Sequence, residues 1–232
     1  MQIKIPEIPW SPYGLLVVLS LIAGFFVAVL LMRRFKVDKR TIFYTCLLTF
    51  VCTFSISLTV TFRITENGLQ TAFSGLGAVV GMIIGVFIST LIIKDKPEIV
   101  MGSFIAAAPL MYGLAKSGCL FAGCCHGKEY EGPLAIIYHG AESYFPVQLI
   151  DMAVFILVHI ISLILLFKLK NKITAIYLMM AILIPVRFVL EYLRYYHDGS
   201  IIASGQITVL IAGVIAVILV TVWKFVLKIN YR

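Results

Sequence analysis

Residues 14–32 read GLLVVLSLIAGFFVAVLLM and are followed at once by RRFKVDKR at 33–40. A helix needs about 20 apolar residues to cross roughly 30 Å of hydrocarbon. The run is continuous rather than alternating, which favours a helix over a barrel strand. A dense basic cluster directly behind such a run is a topology signal. Little positive charge precedes the run and no small-residue cleavage pattern follows it, so it is expected to remain as a span and not to be cleaved as a signal peptide.

Outward from this stretch, the pattern repeats. Thr41–Phe62, Gly68–Ile93 and Ile201–Trp223 carry no charge, and neither does the shorter Ile99–Ala115. Val147–Phe167 contains Asp151 and His159, and Ile173–Leu190 contains Arg187. Seven spanning helices are therefore expected. Composition agrees: of 232 residues, 61% are hydrophobic and 13% charged, with mean hydropathy +1.04. A soluble domain has about 45–50% apolar and about 25% charged residues. Soluble, coiled-coil and disordered classes are excluded, leaving an all-α polytopic membrane protein. The net charge of +8 does not mark a nucleic-acid surface, because the cations sit in short clusters between apolar runs.

Those clusters set the expected orientation. Arg33, Arg34, Lys36, Lys39 and Arg40 follow the first run, Lys94 and Lys96 the third, Lys168, Lys170 and Lys172 the fifth, and Lys224, Lys228 and Arg232 the seventh. With seven spans these thirteen of the 19 cations share one side, which is then cytoplasmic, with the N-terminus outside and the C-terminus inside. No repeat or linker divides the chain. The expectation is one transmembrane domain over 1–232 with an outer-face polar connection at about 116–146. That connection opens with Lys116-Ser-Gly-Cys-Leu-Phe-Ala-Gly-Cys-Cys-His-Gly127 and continues through Lys128, Glu129, Glu131, His139 and Glu142. Its small-residue start reads as a broken helix packed at membrane depth.

Ionisable groups within membrane helices are costly and usually functional. Arg187, Glu191 and Arg194 fall on one face if the helix continues past them. They make either an internal ion pair with a snorkelling arginine or an anion-binding face. Lys116 and Asp151 at the ends of their own helices favour a polar pocket. Gln148 and Asp151 share a face behind Pro146 and serve either as first-turn capping groups or as site residues. His159 is expected to hydrogen-bond a neighbouring helix, and Gly77, Gly81 and Gly85 to mark close helix packing. Cys46 and Cys52 read as packing residues. Cys119, Cys124 and Cys125 beside His126 allow a disulfide, a reactive thiolate favoured by Lys116, or packing against glycine. The C-x4-C-C-H spacing matches no common zinc signature, so no metal is assigned.

Several patches resemble the prolipoprotein diacylglyceryl transferase family. Tyr13-Gly14-Leu15 opens the first helix as the family's Tyr-Gly-Leu/Met does. Leu76-Gly77-Ala78-Val79-Val80-Gly81 is similar to His-Gly-Gly/Ala-Ile-Ile-Gly. Ala115-Lys116-Ser117-Gly118-Cys119, with Gly123 and Gly127, resembles Gly-Arg-Ile-Gly-Asn…Gly…Gly. Phe145-Pro146-Val147-Gln148-Leu149-Ile150-Asp151 resembles His-Pro-Ser-Gln-Leu-Tyr-Glu. Arg187-Phe188-Val189-Leu190-Glu191-Tyr192-Leu193-Arg194 is similar to Arg-Phe-x-x-Glu-Phe-x-Arg, and Ser204-Gly205-Gln206 to Ser-x-Gly-Gln. The chain departs from the family at Leu76 and Phe145 (both His there), Lys116 (Arg), Cys119 (Asn) and Cys124 (acidic).

The resemblance implies seven helices in a bacterial-type plasma membrane and an active site facing outward. It implies transfer of diacylglycerol from phosphatidylglycerol to the cysteine thiol of a prolipoprotein, with release of glycerol phosphate and no soluble cofactor. Arg187, Lys116 and Arg194 would hold the phosphate, and Glu191 would position Arg187. Tyr13 and Gln148 would orient the head group, with Asp151, Gly118, Cys119, Gly123 and Gly127 completing the substrate site. The thiol proton would pass to His126 or Glu191, or leave before binding. Two further readings stand beside this one. The first is a related lipid-head-group transferase with another acceptor, with one of the three clustered cysteines as a covalent carrier. The second is a non-catalytic lipid-binding or transport protein.

Overall fold

A computed structural model of the chain describes residues 2–6, 10–59, 63–65, 68–70, 74–138, 142–195, 197 and 202–230. Phe62, His139, Ile201 and Arg232 lie outside the described residues. Seven helices form: α1 Tyr13–Arg34, α2 Lys39–Thr59, α3 Gly75–Ile92, α4 Pro97–Phe121, α5 Val147–Lys168, α6 Lys172–Leu190 and α7 Ser204–Asn230. All seven are long and apolar enough to cross a bilayer. The chain is a multi-pass helical membrane protein. Large apolar side chains such as Phe26, Phe43, Ile211 and Phe225 point outward, as a hydrocarbon solvent allows.

Two boundaries differ from the expectation. The second apolar run extends to Phe62, outside the described residues, and its described helix covers Lys39–Thr59; the third run starts at Gly68, but its helix starts at Gly75. Between the two helices β2 (Arg63–Thr65) pairs antiparallel with β3 (Gly68–Gln70). Arg63, Glu66 and Asn67 separate the two apolar runs in the sequence. Ser74 then starts α3 by accepting a 3.1 Å hydrogen bond from the Gly77 amide. The expected broken helix near Lys116 is absent. α4 continues through Lys116, Gly118 and Cys119 to Phe121.

α4 is the central helix, with 72% of its membrane window buried against 33% for α1, α2 and α5. It packs on α1, α5, α6 and α3, while α2 reaches the bundle mainly through α3. The α2–α3 seam is made of small residues. Thr41, Thr45, Thr49, Thr53 and Ser57 recur every fourth position on α2 and are buried. A Cβ on Gly81 would stand 2.6 Å from the Cys52 carbonyl oxygen, and one on Gly85 2.5 Å from Thr49 Cα. This is the close packing the glycine spacing predicts. His159 Nδ1 lies 2.7 Å from the Ala106 carbonyl oxygen and so donates from α5 to α4, as expected. Trp223, fully buried, donates to Thr90 Oγ1 at 2.8 Å and ties α7 to α3.

The cation-rich turns meet at one end of the bundle. Lys96 Nζ donates to the Phe35 and Lys36 carbonyls at 2.9 and 2.6 Å. Phe35 stacks on Phe167, and Lys172 stands over the Phe35 ring. At the opposite end β1 (Ile3–Lys4) runs parallel to β4 (Ile136–Ile137), which pairs antiparallel with β5 (Ser143–Tyr144). This small sheet ties the N-terminal segment to the long α4–α5 connection.

Candidate active site

The chain near the end of α6 decides how the charged residues are arranged. After Leu190 the helix tightens into a single 3-10 turn, Glu191–Leu193, and Arg194 adopts extended backbone. Arg194 therefore leaves the helix face of Arg187 and Glu191, contrary to the expected shared face. It forms an isolated antiparallel bridge with Gly127, and its guanidinium turns inward to the Asp151 carboxylate and the Cys125 carbonyl. Lys116 approaches the same Asp151 oxygen at 3.7 Å. Asp151 and Arg194 are fully buried and Lys116 nearly so. The first-turn capping role for Asp151 does not hold, because no acidic residue lies in the first turn of α5. A buried carboxylate held between two cations fits the rule that interior charges are paired.

Arg187 and Glu191 form a separate pair, i to i+4, with Arg187 Nη1 donating to Glu191 Oε2. Glu191 lies against the first turn of α7, where a Cβ on Gly205 would stand 2.5 Å from its Oε1. Gln206, at the third position of that turn, reaches back to accept from the Ala203 amide at 2.7 Å, half of a capping box. Among the described residues, Arg187 Nε has no hydrogen-bond partner.

Tyr112 joins the two groups, and the sequence reading missed it. Its ring lies 4.7 Å from Lys116 Nζ and 5.4 Å from Arg187 Cζ, within cation–π range of both, and packs on Phe155. The available signal was its position one turn before Lys116 on α4.

Arg187 stands where two spaces join. One is an apolar cavity of about 80 Å3 walled by Leu76, Met82, Ile105, Tyr112, Ile184 and Ala216. The other is an open polar mouth of about 320 Å3 formed by Glu191, Ser204, Gly205 and Thr208. Leu76, Arg187 and Val209 line both. The crevice thus runs from polar to apolar between α3, α6 and α7.

The remaining predicted residues do not line either space and belong to the start of α1, the end of α4 and the α4–α5 connection with the start of α5. Gly123 takes φ +65°, and the Cys124 amide donates to the Cys119 carbonyl at 3.1 Å. This is a Schellman turn closing α4, and it explains the glycine. Cys125 is also left-handed, at φ +58°. Gln148, fully buried, donates to the Cys124 carbonyl at 2.9 Å and to Tyr138 Oη at 2.7 Å. Burial pushes the Tyr138 hydroxyl up to about 12. The sulfurs of Cys119, Cys124 and Cys125 lie within 4.8 Å of one another, and all three are free. Sulfur hydrogen bonds from Cys119 and Cys124, with Lys116 and Arg194 nearby, hold the Cys125 thiol well below the usual thiol range. Tyr13 starts α1 against Gly118, where a Cβ would stand 3.1 Å from the Tyr13 carbonyl oxygen. Gly127 is closed in by Phe145, 2.7 Å from where its Cβ would lie. The His126 ring sits between Tyr144 and Tyr195 at 4.2 and 4.3 Å, with Nδ1 2.9 Å from the Gly127 carbonyl.

No curated protein sequence matches the chain significantly. A family model described as prolipoprotein diacylglyceryl transferase matches residues 1–226. With nearly its whole length matched, seven spans and a charged crevice at one end of the bundle, the chain belongs to the prolipoprotein diacylglyceryl transferase family, whose members are membrane transferases of lipoprotein biosynthesis.

Proposed function

We propose that this protein transfers diacylglycerol from phosphatidylglycerol to the cysteine thiol of a prolipoprotein. In this reading the chain is a single transmembrane domain in a bacterial-type plasma membrane. Its N-terminus and site face outward, and its cation-rich end and C-terminus are cytoplasmic. The observation that carries the reading is the crevice between α3, α6 and α7. It is apolar inside, polar at its mouth, and has Arg187 at the junction. An anionic glycerolipid has that same succession of properties. Its acyl chains would lie toward Leu76, Met82 and Ala216, and its phosphate would meet Arg187, whose Nε has no partner among the described residues.

The reaction is displacement at carbon. The acceptor sulfur forms a bond to the terminal glyceryl carbon, and the carbon–oxygen bond to phosphate breaks. The electron pair stays on that oxygen, so the leaving group is glycerol phosphate. Negative charge grows on the phosphate as the bond breaks, and fixed cations aimed there lower the barrier. Arg187 performs this role. Glu191 holds the guanidinium by one edge, Tyr112 backs it, and Lys116 adds positive potential across the same ring. Arg194, Asp151 and Gln148 are positioning residues that fix the wall behind the crevice. Tyr13 and Gly118 fit α1 to that wall, and Gly123, Gly127 and His126 shape the connection over it.

The test uses purified protein, phosphatidylglycerol with a labelled head group, and a peptide carrying a lipobox cysteine. Labelled glycerol phosphate and a peptide heavier by one diacylglyceryl group are expected. Full activity in Arg187→Ala would remove the phosphate assignment. Peptide modification with no release of glycerol phosphate would remove the donor.

A further inference from the structure

We propose that Cys119, Cys124 and Cys125 are the three protein ligands of a divalent thiophilic cation of the zinc class, with a fourth position that receives an incoming thiol. The sulfurs lie within 4.8 Å of one another. A tetrahedral ion with metal–sulfur bonds of about 2.3 Å sets its sulfurs roughly 3.8 Å apart. The side chains therefore need only small rotations.

The cradle is built by backbone rather than by chance proximity. The Schellman turn at Gly123 folds Cys124 back over Cys119, one turn from the helix end. The left-handed conformation of Cys125 redirects the chain immediately afterwards. Each loop cysteine is then clamped by a fully buried side chain. Gln148 donates to the Cys124 carbonyl, and Arg194 to the Cys125 carbonyl. Outer-layer hydrogen bonds of this kind orient ligands before the metal arrives. Tyr138 holds Gln148, and Asp151 holds Arg194, so the clamps are themselves fixed.

Charge and stoichiometry agree. A divalent ion on three thiolates carries one negative charge. Lys116 and Arg194, with Asp151 between them, leave one positive charge beside it. A disulfide would use two of the three sulfurs and strand the third. Three protein ligands and one open position is the pattern of sites that act on a substrate, whereas structural sites are closed by four. Cys124 and Cys125 are only half-buried, so the cluster is not sealed from its surroundings.

The consequence deepens the proposed function and rests on it for the identity of the incoming thiol. Alkylation requires a thiolate, and among the described residues those lining the crevice include no histidine and no carboxylate other than Glu191, which pairs with Arg187. A thiol that coordinates such a cation is deprotonated outright. The acceptor S–H would give its proton to water on binding. The sulfur would then form its bond to the glyceryl carbon while the carbon–oxygen bond breaks, and the thioether, a weaker ligand, would leave.

The experiment titrates reduced, metal-stripped, full-length protein in phospholipid nanodiscs with Co2+. One equivalent should produce sulfur-to-cobalt charge-transfer absorption and the visible bands of a tetrahedral site, both discharged by Zn2+. The bands should persist in Cys46→Ser and Cys52→Ser and vanish in the triple Cys→Ser variant. Gln148→Ala, which keeps every ligand, should bind Co2+ about 10–100-fold more weakly. A peptide with a lipobox cysteine should shift the visible bands, and its serine version should not. No stoichiometric band in reduced protein, a band surviving in the triple variant, or full-rate transfer in metal-stripped protein would each overturn the inference. The last of these would leave the transferase reading intact. A cobalt site that takes up the peptide thiol, in a protein that transfers nothing, would keep the inference and remove the transferase reading.

Discussion

Gly205 lies so close to Glu191 that a Cβ there would stand 2.5 Å from the carboxylate oxygen and 3.0 Å from Cγ. The first turn of α7 is thus shaped to let the carboxylate reach Arg187. Gly205→Ala is expected to leave the seven helices and thermal stability largely intact, because the obstacle is the flexible end of a side chain. Glu191 must move, and Arg187 loses its orientation. Misplacement by about 1 Å can cost roughly 100-fold in rate. The check is the initial rate of glycerol phosphate release beside a melting curve. Wild-type activity in a folded Gly205→Ala variant would mean that the Glu191–Arg187 contact does not matter to transfer.

Arg187 itself separates charge from geometry. Arg187→Ala should lower the rate by about 100–1,000-fold, the scale for loss of one donor to a developing oxyanion. Arg187→Lys should recover only part of it. The ammonium keeps the charge but cannot pair with Glu191 at one edge while presenting Nε to a ligand. The comparison is read in kcat, with lipid at saturation. A Lys variant equal to wild type would show that positive potential alone suffices.

Asp151 is the hinge of the buried network, since both Arg194 and Lys116 face it. Asp151→Ala leaves two interior cations without their shared carboxylate and should destabilise the protein by about 3–5 kcal/mol. Removing Arg194 as well should cost much less than the sum of the single changes, because contacting residues couple. Thermal unfolding of the two single variants and the double variant, all in one detergent, measures this. Strict additivity would show that the ion pair is energetically idle.

The spans were legible because continuous apolar runs have one solution in a bilayer. What was not legible has local physical causes. Residues 68–70, apolar enough to read as the start of the third span, pair instead as a strand with residues 63–65. Arg194 could not be placed from i, i+3, i+4 spacing, because α6 tightens and ends before it. The closeness of Cys119 to Cys124 follows from a turn whose signal was Gly123, yet C-x4-C-C-H spacing by itself pointed to no ligand set. Tyr112 and Gly205 are uncharged and sit in uncharged stretches, so nothing in composition singled out Tyr112, and Gly205 stood out only within the Ser204-Gly205-Gln206 match.

The glycines of α3 give the sharpest contrast within one helix. A Cβ on Gly85 would stand 2.5 Å from Thr49 Cα, and one on Gly81 2.6 Å from the Cys52 carbonyl. Both obstacles are backbone, so α2 and α3 must move apart as bodies. A Cβ on Gly75 would meet only the Tyr112 ring, at 3.5 Å, an ordinary contact. Gly81→Ala and Gly85→Ala are therefore expected to destabilise the protein by about 1–3 kcal/mol, the usual cost of overpacking. Gly75→Ala should be neutral in stability. Because Leu76 and Met82 on the same helix wall the apolar cavity, a shift of α3 away from α2 should also narrow the crevice. The two seam variants are thus expected to raise the KM for lipid, and Gly75→Ala to leave it unchanged. Equal melting temperatures for all three variants would show that the α2–α3 seam tolerates a methyl group and that its glycines are not there for close approach.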